Sequence, residues 1–481
     1  MGQSRWSCSA LLGLGVFALG LLKLSWLTFS GPLLAYANNY DFLRQSACIG
    51  VWQWKDGIDK TAGNYQFPIG TLINDGQRLP DMCLYSIDTL FPWLTGLIQG
   101  TGAVFDIAWV GGLKVLAFAV LSAALLHRLS TALRVPMALV FFLIAGDWVF
   151  AAYANTLYLE FSVVAGCFLV LVAGTQLLAQ REAPAPALLV LCVMGLVWLG
   201  WSKLQYGLLA SCLAVGFALV LFGRWRCAKT ALVLLVLALL LPFSYSQLND
   251  SRSPLMQGLN HANKTNTFQG AVLPAAVDPA EALQRLGLPP SCAAGIGHSW
   301  YTPRVNDVHL CPEVQQVSRL ALPGLFIAQP STFFVPLHRA IIESRPFYPH
   351  YLGKVEPEAG AKAERKVHRA QVTSITTAMA ALPLALYVAL VYAGLLAAAL
   401  ALTRLAWSFR RGGLSEESRA IAAMLGLGGV VGFYALVSSV FGDGYIELQK
   451  HAVALPLALI FQSVGLLWGV FAWGRRIASA R

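Results

Sequence analysis

Charged residues are scarce in this chain of 481 residues: Asp, Glu, Lys and Arg make up 12% of it, whereas apolar residues make up 57%. An ordinary soluble domain carries about 25% charged residues. The chain therefore lacks the charged surface that keeps a protein in water, which excludes a soluble enzyme, a disordered protein and a secreted disulfide scaffold. Length alone predicts about three domains, but recurrent long apolar runs indicate a polytopic membrane protein instead.

Two kinds of sequence motif are also missing. The chain has neither a Rossmann nor a P-loop glycine fingerprint, so the sequence predicts no nucleotide site. It has no C-x-x-C pair and no His–Cys cluster, which argues against a zinc site. The function must therefore be inferred from polar residues scattered between apolar runs.

A membrane-spanning helix needs about 20 mostly apolar residues. The sequence contains ten such runs, the third and fifth of them short, near 11–35, 107–126, 135–152, 161–180, 187–202, 205–223, 230–247, 380–403, 419–440 and 452–473. Each run is expected to be helical, because an open sheet edge cannot exist in hydrocarbon. The predicted fold class is an all-α polytopic membrane protein with about 10 transmembrane helices and two large extracytoplasmic loops that contain interfacial helices.

Basic residues in the short loops predict the orientation. With the N-terminus in the cytoplasm, the cytoplasmic segments hold many basic residues and only three acids, Glu182, Glu416 and Glu417. The basic residues are Arg5, Arg128, Arg134, Arg181, Arg224, Arg226, Lys229, Arg404, Arg410, Arg411, Arg419, Arg475, Arg476 and Arg481. This positive-inside bias predicts that both termini lie in the cytoplasm, and the net charge of +11 then needs no nucleic-acid partner.

Two long segments lie outside the predicted spans, and both face away from the cytoplasm. The chain is therefore predicted to have three parts: an N-terminal membrane module, 1–246, a large loop, 247–379, and a C-terminal membrane module, 380–481. The other long segment, the loop 37–106, belongs to the N-terminal module. Because the cytoplasmic loops are short, the chemistry is expected on the outer face. The stretch 318–343 is apolar but interrupted by prolines, which predicts broken interfacial helices; an eleventh span is the alternative.

Local signals predict details of the two loops. The stretch from about Gly57 to Pro80 is rich in turn-forming residues, which indicates coil. The stretch 86–100 is apolar but too short to span a membrane, which indicates an interfacial helix. Asp278, Pro279 and Glu281 predict a capped helix start, with Glu281 reaching back to the cap.

The nine cysteines are distributed by compartment. Cys48 and Cys83 share the first outer loop, and Cys292 and Cys311 share the second. An even count in each outer loop suits an oxidising compartment, so we predict the disulfides Cys48–Cys83 and Cys292–Cys311, with free thiols as the alternative.

Acidic and basic side chains collect at the outer ends of the predicted spans. Asp41 follows the first span, and a carboxylate there can act as a general base, bind a cation, or simply begin an interfacial helix. Asp147 lies inside an apolar run, where an Asp costs about 3 kcal/mol and is usually paired or functional. Glu160 follows at the tip of the same hairpin. Lys203, in the next outer turn, can hold a phosphate or extend to the membrane surface.

The last outer turn carries Asp443, Glu447, Lys450 and His451 within nine residues. The second loop adds Arg304 and Arg345 among aromatic residues, where cations pair with anionic head groups. Each of these is, taken alone, consistent with a solvated or interfacial residue. Together they place charge from several outer turns at the depth where a polyprenyl-phosphate presents its head group.

Several of these segments together resemble a known group of enzymes. They are Asn38-Asn39-Tyr40-Asp41-Phe42, Asp147…Asn155-x-x-Tyr158-x-Glu160, Ser202-Lys203-x-Gln205, Asn260…Asn263…Phe268, Asp278-Pro279…Leu286-Gly287-Leu288 and Gly442-Asp443-Gly444…Lys450-His451. Their order and placement resemble the GT-C superfamily of membrane glycosyltransferases, and most closely its bacterial hexose transferases of the WsfD type. The chain departs from that pattern at Asn155-Thr156-Leu157-Tyr158, where a Phe-Asn-Ser-Phe-Tyr-like run is common, which leaves the role of this hairpin open.

The resemblance implies a polyprenyl-phosphate-linked sugar donor, a hydroxyl acceptor on a glycan, lipid or protein, and Asp41 as the catalytic carboxylate. It implies that Asp147 and Glu160 support Asp41 or hold a divalent cation, Mg²⁺ or Mn²⁺. Donor phosphate is expected at Lys203, Lys450 and His451, with Arg304 and Arg345. Sugar or acceptor contacts are expected at Asn39, Tyr40, Asn155, Tyr158, Gln205, Asp443 and Glu447.

Other functions remain open at this point. A transporter or flippase of a lipid-linked sugar is the main alternative, although such proteins place ionisable residues at the membrane midplane, where this chain has only Lys23 and Lys114. A non-catalytic subunit of a glycan assembly machine and a polymerase or ligase that uses lipid-diphosphate glycans are the others.

Overall fold

The computed structural model describes residues 8–30, 33, 40–53, 72–250, 252–302, 310–353 and 374–480, and it is predominantly helical. The α-helices are α1 Cys8–Phe29, α2 Tyr40–Ile49, α3 Leu90–Gln99, α4 Ala108–Arg128, α5 Thr131–Ala145, α6 Trp148–Ala151, α7 Glu160–Ala179, α8 Pro186–Gly200, α9 Leu204–Trp225, α10 Ala228–Leu248, α11 Pro254–Thr267, α12 Pro279–Arg285, α13 Leu322–Ala328, α14 Ser331–Glu343, α15 Ile375–Ala381, α16 Leu384–Arg411, α17 Glu416–Asp443, α18 Leu448–His451 and α19 Ala454–Ala480.

Among the described residues, eight helices are long and apolar enough to cross a membrane: α1, α4, α7, α9, α10, α16, α17 and α19. The third and fifth predicted runs form α5 and α8, which have 15 residues each. At 1.5 Å per residue such a helix is about 22 Å long, less than the hydrocarbon thickness of about 30 Å. The ten predicted runs therefore correspond to eight full-length helices and two short ones.

The apolar stretch 318–343 is not a straight span. Two helical segments, Arg319–Ala328 and Ser331–Glu343, meet at an angle of 107°, and counting them as one broken span would raise the total to nine. Pro330 lies at the break, where a proline cannot continue the preceding helix. The predicted interruption by proline is therefore confirmed.

Helix α7 lies at the centre of the bundle. Every one of its residues is buried, as expected for a helix that is apolar all round rather than along one stripe. Gly166 lets α8 approach closely, since a Cβ at this position would lie 2.6 Å from the Leu199 backbone nitrogen. Glu160 is the first residue of this buried helix, so packing at the centre of the bundle fixes the position of its carboxylate.

The first loop contains a small sheet that was not predicted, and its middle strand lies within the stretch that the sequence predicted to be coil. Strands β1 Val51–Gln53, β2 Leu72–Asn74 and β3 Val104–Phe105 form an antiparallel sheet in the order β1-β2-β3. Strands of two or three residues are too short to show a two-residue apolar period, so the pattern gave no signal. The predicted helix within 86–100 is present as α3, and the structure contains the disulfides Cys48–Cys83 and Cys292–Cys311.

The predicted cap of α12 is half right. The Asp278 carboxylate accepts hydrogen bonds from the backbone nitrogens of Ala280 and Glu281, at 2.9 and 3.0 Å. Glu281 does not reach back as predicted, because the Asp278 nitrogen donates to the Gln329 amide oxygen at 3.1 Å. Glu281 instead pairs with Arg285 at 2.7 Å.

A buried ion pair joins the first outer loop to the helical bundle. The Lys114 ammonium, in α4, lies 2.6 Å from the Asp88 carboxylate, and both side chains are almost fully buried. Lys114 also donates to the carbonyl oxygen of Thr156 at 2.9 Å, and Asp88 accepts from the Ser162 nitrogen at 3.2 Å. The pair therefore fixes the hairpin that leads into Glu160.

Replacing Lys114 by Met should destabilise the chain by about 3–5 kcal/mol, because it leaves the Asp88 carboxylate buried without its cation. The double variant Lys114→Met/Asp88→Asn should recover part of that loss, since no uncompensated charge remains. Denaturant unfolding of the purified chain in detergent micelles measures both. A single variant no less stable than the double variant would contradict the assignment.

Candidate functional site

The described residues form a cavity of about 620 Å³ at the helix ends that the sequence predicts to face outward, within the range of 300–1,000 Å³ that is typical of ligand pockets. Its walls come from α2, α9, α10, α11, the start of α7 and the turn between α17 and α19. Its ionisable and amide-bearing lining residues are Asp41, Arg44, Gln45, Tyr158, Glu160, Lys203, Gln205, Tyr245, Asn260, Asn263, Tyr301, Arg319, Tyr434, Asp443, Glu447, Lys450 and His451. Four carboxylates and four Lys or Arg side chains therefore face one space.

Lys450 is the most buried of these charges, with a side chain only 1% exposed. Its ammonium pairs with one oxygen of Asp41 and with Glu447, and the other Asp41 oxygen pairs with Arg44 at 2.6 Å. Local structure brings Lys450 inward: Gly444, at φ 62°, turns the chain after α17, and a Cβ there would clash with the Asn266 carbonyl oxygen. The first and last outer segments thus meet at one ammonium.

This arrangement fixes the protonation of all three groups. Burial alone would raise the pKa of Asp41, but Lys450, Arg44 and Lys203 outweigh it and hold that pKa well below its usual range. Burial acts likewise on Glu447, whose pKa is lowered by Lys450. Burial would lower the pKa of Lys450, yet Asp41 and Glu447 raise it well above its usual value. At neutral pH the cavity therefore holds two carboxylates around one ammonium.

A second pair closes another side of the cavity. Glu160, the first residue of α7, pairs with Lys203, which immediately precedes α9. An acid in the first turn of a helix is favoured by the helix dipole. The Lys203 side chain remains 14% exposed, whereas Glu160 is buried at 2%. The ammonium is thus the member of this pair that a ligand in the cavity meets first.

A third pair joins His451 Nε2 to the Asp443 carboxylate at 3.2 Å. The Asn266 side-chain nitrogen donates to the other Asp443 oxygen at 2.8 Å. When the Asn263 side-chain amide is oriented with its nitrogen towards the neighbouring acceptors, that nitrogen donates to the same Asp443 oxygen at 3.0 Å. Arg319 holds the end of α17 by donating to the Gly442 carbonyl oxygen at 3.0 Å. The Asp443 carboxylate is therefore well fixed.

The structure brings most predicted site residues together. Those that line the cavity are Asp41, Tyr158, Glu160, Lys203, Gln205, Asp443, Glu447, Lys450 and His451. Asn39 and Arg304 lie outside the described residues, and for Tyr40 only the backbone, at the start of α2, is described. The roles assigned to all of these residues remain predictions.

Three predicted residues lie elsewhere among the described parts of the chain. Asp147 caps α6, and its carboxylate accepts from the nitrogen and hydroxyl of Thr376 at 2.9 and 2.7 Å, so it fixes that segment instead of lining the cavity. Asn155 donates to the Thr28 carbonyl oxygen at 2.6 Å. Arg345 donates to the Ala380 carbonyl oxygen and lies 5.2 Å from the Tyr387 ring. The polar side chains of these three residues therefore form hydrogen bonds between separate segments of the chain.

Two cations in the cavity were missed. Arg44 follows Asp41 by three residues in α2, a spacing that favours an ion pair on one helix face and that the sequence displayed. Arg319 lies in the second loop, and nothing in the sequence near it indicates that it reaches Gly442, 123 residues further along. Sequence spacing reveals helical neighbours, whereas contacts between distant segments leave no such signal.

The described residues do not fit the expected divalent cation. Asp147 is saturated by hydrogen bonds away from the cavity, and Glu160 is paired with Lys203. The group of potential ligands found among the described residues is Cys292, Cys311 and Glu313. Its two sulfurs are joined in a disulfide, whereas a metal ligand must be a thiolate.

Comparison with known proteins identifies a family. The family model for the YfdI N-terminal transmembrane domain matches residues 7–472. No curated protein matches the chain. Expectations about the WsfD-type branch remain predictions.

Two solved structures show a weak likeness. One is the oligosaccharyltransferase AglB of Archaeoglobus fulgidus in complex with an inhibitory peptide and a dolichol-phosphate, at 12% identity and a TM-score of 0.34, over 98% of this chain and 52% of that one. The other is an oligosaccharyltransferase from the same organism in the apo form, at 11% identity and a TM-score of 0.37, over 99% and 53%. The chain thus spans about half the length of these proteins, and a likeness this weak carries no argument about function.

The charge state of the Asp41–Lys450 pair predicts a flat pH response. A lowered Asp41 pKa gives stability that is present above the unfolded pKa of about 3.9, and a raised Lys450 pKa gives stability that is present below about 10.4. The difference in melting temperature between the unmodified chain and Asp41→Asn should therefore stay constant from about pH 5 to pH 9. A difference that changes across this window would contradict the pairing.

Proposed function

The chain belongs to the family defined by the YfdI N-terminal transmembrane domain, and from this premise we propose that it is a GT-C-type glycosyltransferase. It moves a sugar from a polyprenyl-phosphate donor to a hydroxyl acceptor on the extracytoplasmic face. The observation that carries the proposal is the cavity at the outer helix ends, where four carboxylates and four cationic side chains face one space.

The cavity is amphipathic in the way that a lipid-linked donor requires. Its charged residues lie beside Leu204, Leu208 and Pro242, which belong to α9 and α10. Leu204 is 49% exposed and Leu208 is 57% exposed, so the same helix contributes to the cavity and to the apolar outer surface of the bundle. A donor with its phosphate in the cavity can therefore keep its chain against apolar helix surface.

The charged residues divide between the two halves of a direct displacement. Lys203 and Lys450 line the cavity and hold the donor phosphate and the charge that it gains on leaving. Asp41 is the catalytic carboxylate, which either orients the acceptor hydroxyl or takes its proton. Tyr158, Gln205, Asp443 and Glu447 are then available to contact sugar or acceptor.

The positive-inside bias supports a bacterial cytoplasmic membrane as the location, with the active face in the periplasm. The acceptor belongs to a surface glycan, a lipid or a protein, all of which present hydroxyl groups on that side.

The flippase alternative gains little from the structure. Its strongest support is the Lys114–Asp88 pair inside the bundle, since ionisable groups within a membrane often mark transport paths. Both side chains are almost fully buried, however, and neither lines the cavity among the described residues.

Asp41→Asn is expected to abolish glycan modification while the protein still inserts into the membrane at its usual level, because the variant keeps the size of the side chain and removes its charge. Mass spectrometry of surface glycans and glycoproteins measures the modification, in a strain that carries only the variant. Asp81→Asn is the matched control, since Asp81 is exposed in the same loop and does not line the cavity. A strain that carries this variant should show normal glycan modification.

Retained modification in Asp41→Asn would contradict a catalytic role and would favour a non-catalytic subunit. Unaltered glycans in a strain that lacks the chain altogether would contradict the proposed function itself.

A further inference from the structure

The Asp41 carboxylate is poorly placed to accept a proton. One of its oxygens pairs with Arg44 at 2.6 Å and the other pairs with Lys450. Two cations on one carboxylate also hold its pKa well below the usual range. General-base catalysis is most effective when the pKa of the base lies near the working pH. If the proposed displacement occurs here, the proton of the acceptor needs another destination.

His451 has the arrangement that a proton acceptor requires. Its Nε2 forms an ion-pair contact of 3.2 Å with the Asp443 carboxylate, and a carboxylate at this distance favours the tautomer that carries its hydrogen on Nε2. The lone pair of Nδ1 is then left to accept a proton. Among the described residues no hydrogen bond to His451 Nδ1 is present, and the side chain, 20% exposed, lines the cavity.

The Asp443 carboxylate is itself held by the Asn266 side-chain nitrogen at 2.8 Å. The backbone of His451 is fixed as well, because the Tyr206 hydroxyl donates to its carbonyl oxygen at 2.8 Å and Gln205 donates to the same atom at 3.3 Å. These contacts fix the backbone of His451 and the carboxylate beside its ring. A histidine next to a fixed carboxylate is the pairing that a base and its orienting acid use.

Resting on the proposed function, we propose that His451, oriented by Asp443, takes the proton of the acceptor hydroxyl, while Asp41 orients that hydroxyl. The acceptor oxygen forms a bond to the anomeric carbon as the bond from that carbon to the donor phosphate breaks. The electrons of the broken bond stay on the phosphate oxygen, and the leaving group is the polyprenyl phosphate. The hydroxyl proton moves to His451 Nδ1, which later releases it to water.

Charged groups from several elements surround His451. Asp443 at the end of α17, Glu447 in the following turn and Lys450 in α18 lie near it. Tyr206 of α9 contacts its backbone and Arg319 lies beside Asp443. Lys203 lines the same cavity from the start of α9. A histidine acts as a base only while it is unprotonated, so protonation of His451 should limit the rate on the acid side.

The test measures release of polyprenyl phosphate by the purified full chain in lipid nanodiscs, from a synthetic polyprenyl-phosphate hexose that the unmodified chain consumes. His451→Gln should lower kcat by about 100-fold or more, with KM for the donor changed less than threefold, because a general base contributes about 10²–10⁴. The acid limb of the pH profile should vanish in this variant. Asp443→Asn should also lower kcat, since an amide no longer fixes the ring tautomer.

Chemical rescue separates a base from a structural residue. In His451→Gly, added imidazole should restore at least a tenth of the lost rate, with a pH dependence that follows the free imidazole. His338→Gln is the matched control, because His338, in α14, stacks on Tyr392 and does not line the cavity. This variant should keep the rate of the unmodified chain.

Two results would overturn the inference. One is a His451→Gln variant that keeps both its rate and its acid limb, and the other is a loss confined to KM, which would indicate phosphate binding instead. In either case the proposed function would stand if Asp41→Asn is inactive. The function itself would fall if the unmodified chain consumes no polyprenyl-phosphate sugar.

Discussion

One buried ammonium holds the outer face of this molecule together. Lys450 contributes it from the last outer turn, and Asp41, 409 residues earlier, contributes one of the carboxylates that neutralise it. A charge this buried is tolerable only when it is paired and hydrogen-bonded, so the turn that carries Lys450 and the helix that carries Asp41 must be placed relative to each other. Glu447 supplies the second carboxylate from the same turn. The cavity is the space that these constraints leave between the first and last outer segments.

Much of the fold follows from composition, because hydrocarbon admits few structures. A run of about 20 apolar residues has to be helical there, and short basic loops have to remain inside. Most of the site also follows, since charged residues between apolar runs can lie only at the helix ends. The same argument misassigned Asp147: a carboxylate in an apolar run indicates a partner or a function without distinguishing them. Its partner is Thr376, 229 residues away, and no spacing in the sequence marks that contact.

Short-range patterns are informative where both groups share one element, as at the Asp278 cap, which was predicted. The Asp41–Arg44 pair also lies within one helix, where a spacing of three residues brings side chains to one face, but Arg44 was not among the predicted site residues. The strands around Ile73 are too short for a period to appear, and Arg319 reaches Gly442 from another segment altogether. The limit on prediction is therefore physical. The sequence of a helix or strand indicates which of its residues share a face, whereas the segments that pack against that face depend on the packing of the whole bundle.

The charge pairs of the cavity also bear on how the proposed reaction is ordered. Lys203 and Lys450 are the cations that we propose hold the phosphate, and each is paired with a carboxylate, Glu160 or Asp41. A phosphate that binds these ammonium groups competes with those carboxylates, so donor binding and loosening of the Asp41–Lys450 contact are energetically linked. Asp443 and His451 contact each other without either lysine. The proposed proton acceptor is therefore separate from the ion pairs that donor binding would loosen, so one small cavity can bind an anion and still offer a base to the acceptor.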